Sequence, residues 1–561
     1  MSFKNLGLFS ILLTLFFING CLKKEDMTEE FKRFVKEYEA KTVPLFAEAN
    51  TAYFNATISG KEEDYKKAAD LQVQLSKIYA NKGDFALLKR FKSSNTIQDP
   101  ILSRELIKIY NAYASNQIDE KKLEEIIRLQ NETEKKFSMF RAVVNGKKIT
   151  DNDVENTLKT STDGKLLKNT WEASKVVGEV IHDDLIKLVK IRNEASRELG
   201  YKNFHQMSLQ LSEQDPQEIE NLLNELDALT KDAFASLKND IDEHLAKKFK
   251  ISKNELMPWH YENRFFQEAP KIYNVDLDAY YKDKDIVSLT KTYYASLGLP
   301  IDSILVHSDL FEREGKYQHA YCININKGKD VRVVCNVKPN YSWMGTMLHE
   351  FGHGVYDYNI DSTLPWTLRE PAHTFTTEAI AMMFGRMASN GQWLVDNAGI
   401  SAEEKANIAD ESFKSLRLEQ LTFSRWVQVV YRFEKAMYEN PDQDLNALWW
   451  DLVEKYQLLK RPEGRNKPDF ASKIHIALYP AYYHNYLMGE LLASQFYAYI
   501  TKNILHSDDL KNQSFTGKQG VGKFLLEKVF KPGTGYYWND MIEKATGEKL
   551  TAKYYAKQFV K

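Results

Sequence analysis

Residues 184–199 read DLIKLVKIRNEASREL, and Leu185, Leu188, Val189 and Ile191 in this stretch recur at the spacing of one helix face. The next segment repeats the pattern with Ile219, Leu222, Leu223, Leu226 and Leu229. Strand-like sequence is sparse. Its best instance is Tyr321 to Cys335, where Ile323, Ile325, Val331, Val333 and Val334 flank Asn326-Lys327-Gly328-Lys329, a turn between two β-branched runs. Beyond the N-terminal stretch no Pro/Gly/Ser linker, low-complexity tract or repeat divides the chain. These patterns predict a mainly α fold, one large helical domain over residues 31–561, with a single small β-hairpin.

The 561 residues are 43% apolar and 27% charged, ordinary for a globular chain with a substantial core. Lys plus Arg (76) nearly balances Asp plus Glu (78), which removes the basic excess that nucleic-acid binding needs. Thirty-one Tyr, thirty Phe and nine Trp suit either core packing or a cleft lined with rings.

The N-terminus differs in kind. Lys4 precedes an apolar run from Leu6 to Ile18, too short for a comfortable membrane span. It ends at Ile18-Asn19-Gly20-Cys21 and turns charged at Lys23-Lys24-Glu25-Asp26. A small residue directly before a cysteine at the end of such a run resembles a bacterial lipoprotein signal. The expectation is a signal peptide over 1–20, lipidation at Cys21 and a tether over 21–30. The chain would then be exported to the bacterial cell envelope and touch the membrane only through that anchor. An uncleaved run would act as a membrane anchor and also keep the chain outside the cytoplasm. Cys322 and Cys335, the remaining cysteines, flank the hairpin turn and suit either a disulfide or two free thiols.

The chemistry concentrates at His349-Glu350-Phe351-Gly352-His353. Histidines at i and i+4 lie one turn apart on one helix face, so both imidazoles can reach one zinc ion, and the glutamate after the first can act as general base toward water. Upstream, Trp343 to Leu348 is apolar enough to bury such a helix. Downstream, Thr376-Thr377-Glu378-Ala379-Ile380-Ala381-Met382-Met383 reads as a second buried helix with one carboxylate. A lone buried Glu is costly unless paired or metal-bound. Glu378 therefore completes a His, His, Glu set for one zinc ion, leaving a fourth position open. A structural zinc site would close with four protein ligands.

A second cluster is Lys473-Ile474-His475 followed by Tyr482-Tyr483-His484-Asn485-Tyr486. Taken alone it reads as a polar helix patch. Together with His349 to His353, Leu368-Arg369-Glu370-Pro371-Ala372 and the Leu445–Gln457 segment LNALWWDLVEKYQ, it resembles the angiotensin-converting enzyme family of zinc peptidyl-dipeptidases. The resemblance spreads over the C-terminal half and thins before about residue 255. It implies a deep central cleft and assigns Glu378, rather than Glu370, to the metal. It implies that Lys473 and Tyr483 grip a peptide's C-terminal carboxylate, while His475 and Tyr486 hydrogen-bond the oxyanion. His484 competes with His475, but on a helix it would face away from Tyr483 and Tyr486. His319 would contact the peptide near the cleavage point, and the backbone at Ala320 and Cys322 would pair with it as an edge strand. A family glutamine at the carboxylate clamp falls near Tyr261 here. The family's chloride-binding arginine is Asn485, and an acidic residue that orients a zinc ligand is Met382.

The function so implied is a zinc metallopeptidase acting on short peptides, releasing C-terminal dipeptides. Carboxypeptidase or oligopeptidase action suits the same scaffold. A catalytically silent peptide-binding lipoprotein is the reading from another class, and it predicts a missing ligand or base.

Overall fold

The computed structural model describes residues 26–560, so the expected signal peptide and Cys21 lie outside the described residues. The described chain is mainly helical. Its longest helices are Gly164–Glu198, Pro216–Phe249 and Ala402–Glu439, each started by a side chain that accepts from the first-turn N–H groups: Asp163, Asp215 and Ser401. The first helix, Thr28–Ser59, begins inside the stretch 21–30 read as a tether.

The periodic segments bury the expected faces. Leu185, Leu188, Val189, Ile219, Leu223 and Leu226 are all inaccessible or nearly so. Leu229 departs from the pattern at 40% exposed, and Thr230 is buried in its place with its hydroxyl donating to the Leu226 carbonyl. One apolar cluster runs from Ala142 to Phe559. A second joins Phe31, Phe34, Phe91 and Tyr113 of the N-terminal helices to Trp366.

Two antiparallel hairpins are present among the described residues. The expected one pairs Tyr321–Asn324 with Val331–Val334, Cys322 opposite Val333. The other, Ala142–Val144 with Lys147–Ile149, was not foreseen. It turns at Asn145 and Gly146, both at positive φ (50° and 77°), the conformation that an Asn-Gly hairpin turn requires.

Three helices place the site: Tyr341–Tyr358, Thr374–Gly385 and His484–Asn503. The middle one is sandwiched because its neighbours present glycines to it. A Cβ on Gly352 would stand 2.8 Å from the Ala381 Cα. One on Gly489 would stand 3.1 Å from the Glu378 Cβ and from the Met382 sulfur. The missing side chains allow the approach that carries Glu378 toward His349 and His353. The N-terminal layer closes over the hairpin: Asn50 Nδ2 donates to the Asn324 and Ile325 carbonyls at 3.3 and 3.2 Å.

Candidate active site

His349 and His353 bring their Nε2 atoms to 3.2 Å. Glu378 Oε2 lies 3.7 Å from His349 Nε2 and 3.9 Å from His353 Nε2. Among the described residues this is the one group of three metal-ligating side chains whose donor atoms all fall within 4.8 Å. Two ligands on a tetrahedral zinc with bonds of 2.0–2.1 Å stand about 3.3 Å apart, so the imidazoles have that spacing and the carboxylate stands slightly wide. Thr377 Oγ1, 2.7 Å from His353 Nδ1, fixes that ring with Nε2 turned inward. This supplies the orienting partner that Met382 cannot.

Burial holds His349 down to about 4. It takes His353 well below its ordinary range, with His349 adding to the effect. Both rings are therefore neutral, the form that ligates metal. Burial pushes Glu350 up to about 8, and the Glu378 charge adds to it. Glu378 rises to about 7 through burial and the charge of Glu490. Buried carboxylates beside neutral imidazoles, with no cation among their perturbers, form a set that a divalent ion would neutralise. The residues fit zinc.

The cavity at this set has a volume of about 700 Å³ and is walled by Ala320, Tyr321, Cys322, Glu350, Asp357, Glu370, Tyr482 and Asn485, among others. Ala320 and Cys322 are thus where an edge strand for peptide is expected. His319 sits exposed in the bend before the strand starts at Tyr321, its ring beside Tyr317, outside the lining of this cavity. Cys322 and Cys335 are free thiols.

The second cluster assembles around Lys473. Its Nζ donates to Gln267 Oε1 at 2.6 Å and lies 5.4 Å from the centre of the Tyr483 ring, with Phe265 and Trp426 at 5.6 Å. Burial, reinforced by Arg264, pulls Lys473 down to about 8. Tyr261 is engaged elsewhere. Its hydroxyl donates to Asp242 Oδ1 (2.8 Å) and accepts from Lys238 Nζ (2.7 Å) in a buried knot. Gln267 occupies the place expected of Tyr261. The intervening loop makes sequence distance a poor guide there.

His475 packs edge-on against Tyr483 with ring centres 5.1 Å apart, and Tyr483 meets Tyr486 at 5.4 Å. The His475 Nδ1 is buried without a partner among the described residues. Burial, then Lys473, holds the ring down to about 4, so it is neutral with one N–H to donate. His484 faces elsewhere, its Nε2 2.8 Å from Gln214 Oε1. Asn485 Oδ1 accepts from the same Gln214 at 2.7 Å, leaving no cation at that position.

Tyr486, Gln267 and Met382 line a second cavity of about 990 Å³. Tyr482 of the first cavity and Tyr486 of this one pack with ring centres 5.4 Å apart, each with Glu378 as a charged neighbour. Gln267 and Thr377 are residues beside the site to which sequence reasoning gave no role. Only Thr377 carried a signal, being adjacent to Glu378.

The model of the peptidase M2 family, described as angiotensin-converting enzyme, matches residues 25–559. The chain belongs to that family. The mouse (Mus musculus) angiotensin-converting enzyme is 24% identical over 558 residues, covering 93% of this chain and 42% of the relative. The rat (Rattus norvegicus) enzyme is 25% identical with the same coverage. This chain therefore spans about two fifths of the length of these relatives. Carboxypeptidase 1 of Bacillus subtilis is 25% identical over 259 residues, 42% of this chain and 50% of the relative.

Proposed function

We propose that the chain is a zinc peptidase that releases C-terminal dipeptides from short peptides. The observation that carries the reading is the His349, His353 and Glu378 set beside Glu350, in a cavity with a buried lysine clamp beyond it. Zinc, held by these three side chains, supplies a Lewis acid that polarises the scissile carbonyl and acidifies water.

The chain's own residues do the rest. The cavity edge at Ala320 and Cys322 offers backbone groups to an extended peptide. Lys473, with Gln267 and Tyr483, receives the C-terminal carboxylate. That charge-assisted contact sets how many residues lie between the terminus and the bond to be cut. Glu350 accepts a proton from the attacking water and delivers it to the leaving amine. Its burial raises its proton affinity, which suits it to both transfers. His475 and Tyr486 donate to the oxyanion, fixed donors in a partly dry cleft that are each typically worth a few kcal/mol. The presence of all three ligands and the base argues against a silent binding protein.

The carboxypeptidase reading keeps one specific support, the likeness to Carboxypeptidase 1 of Bacillus subtilis. In that case the clamp would stand one residue closer to the reacting bond. Localisation is part of the proposal: export and lipid attachment at Cys21, which a Cys21→Ala variant tests by failing to partition with membranes. The function is tested by metal content. Near-stoichiometric zinc, removed together with peptidase activity by a chelator and restored with it, is the expected result. Full hydrolysis by metal-free protein contradicts the reading.

A further inference from the structure

The metal helix carries a third polar residue on the face of His349 and His353. Asp357 follows His353 by four positions and lines the same cavity. Outside the metal set and Glu350, the other charged groups lining this cavity have partners. Glu370 is 2.6 Å from Lys327 Nζ. Glu213 is held by Arg104 and lies 3.3 Å from Lys108 Nζ. Asp357 has no ion pair among the described residues, and its charged neighbour is another carboxylate, Glu370. A half-buried carboxylate facing open cavity without a cation is costly for the free protein. Burial and Glu370 accordingly push it up to about 7.

The placement gives the missing partner a direction. The lysine clamp, with the cavity of Gln267 and Tyr486, takes the C-terminal end of the peptide. Asp357 belongs to the other cavity, away from that clamp, so the N-terminal part of the substrate runs past it. Four residues of helix rise about 6 Å, and an extended peptide advances about 3.3 Å per residue. Asp357 therefore stands about two residues upstream of the bond held at His353.

We infer that Asp357 is a specificity-determining residue, binding a substrate ammonium group carried about two residues N-terminal to the cleaved bond. The group is either the free α-amine of a tetrapeptide or a lysine side chain at that position. The cleft then reads both ends of a short peptide with opposite charges: Lys473 for the carboxylate, Asp357 for the amine. This inference rests on the peptidase reading above.

Three peptides that differ only at the first residue or its N-terminus test it: a tetrapeptide with a free N-terminus, its N-acetyl form, and an N-acetyl form with lysine as first residue. Each measurement is a ratio of kcat/KM values within one protein, so a variant with fewer active molecules still reports correctly. A charge-assisted hydrogen bond of about 1.5–3 kcal/mol is about 10–100-fold. The wild type should favour one or both cationic peptides over the neutral acetyl form by at least about tenfold. The larger ratio identifies the source, α-amine or side chain. In Asp357→Asn that ratio should fall toward one. A wild type indifferent to the cation, or a ratio that survives in Asp357→Asn, overturns the subsite while leaving the peptidase intact. Failure to cleave any of the three by zinc-loaded wild type overturns the peptidase reading, and the subsite with it.

Discussion

The two ends of the cleft are built differently. The metal end is local: His349, Glu350 and His353 share one helix, and Glu378 enters from the next, with Thr377 beside it to hold His353. The clamp end is assembled across the chain, since Lys473 and Gln267 meet at 2.6 Å from positions 206 residues apart. A helix sets ligand spacing through its own geometry. A clamp of this kind depends on the whole core holding two distant segments in register. The metal end should therefore govern whether chemistry occurs, and the clamp end which bond is chosen.

The largest effect should follow from Glu350→Gln, which removes the base and keeps the three ligands. Activity should drop about 10²–10⁴-fold with zinc content near normal by metal analysis. Full activity in a zinc-loaded variant would remove Glu350 from the mechanism.

At the other end, Lys473→Met should lower kcat/KM for free-acid peptides by about 10–100-fold and leave amidated peptides little changed. Equal losses on both would show that Lys473 acts on the fold and not on the terminus. Of similar size is the effect of Thr377→Ala, which frees the His353 ring and should weaken zinc binding about 10–100-fold. Metal titration reads it, and unchanged affinity would mean that the ring is held by its packing alone.

The smallest effect is a pH dependence. Lys473 is held down to about 8, so its positive charge is present below that pH and lost as pH rises through it. KM for free-acid peptides should therefore rise above about pH 8. Amidated peptides, which offer no carboxylate, should lack this limb. The same limb in both would place the titrating group elsewhere.

That contrast also governs what could be read from sequence. The zinc helix was legible because i, i+4 spacing survives any tertiary arrangement. So was the helical bulk, through faces such as Leu185, Leu188 and Val189. Gln267 was not, because residues 261–285 hold no long helix or strand to carry a register from Tyr261 to the clamp. Tyr261 resembled the right residue at nearly the right distance, yet its hydroxyl is used by Asp242 and Lys238. His319 lies in the bend just before the strand. The Asn145-Gly146 hairpin was legible in principle, since that pair is a strong turn signal, but its three-residue strands carry almost no alternation. Gly352 and Gly489 gave no sequence sign of their role, because a close helix approach is visible only when both helices are in place.

The central claim, that a zinc centre and a distant carboxylate clamp together select the bond, is tested most directly by mass spectrometry of the products from one peptide with a free and an amidated C-terminus. The account predicts a C-terminal dipeptide from the free acid and little product from the amide. Internal cleavage at equal rates in both would contradict it.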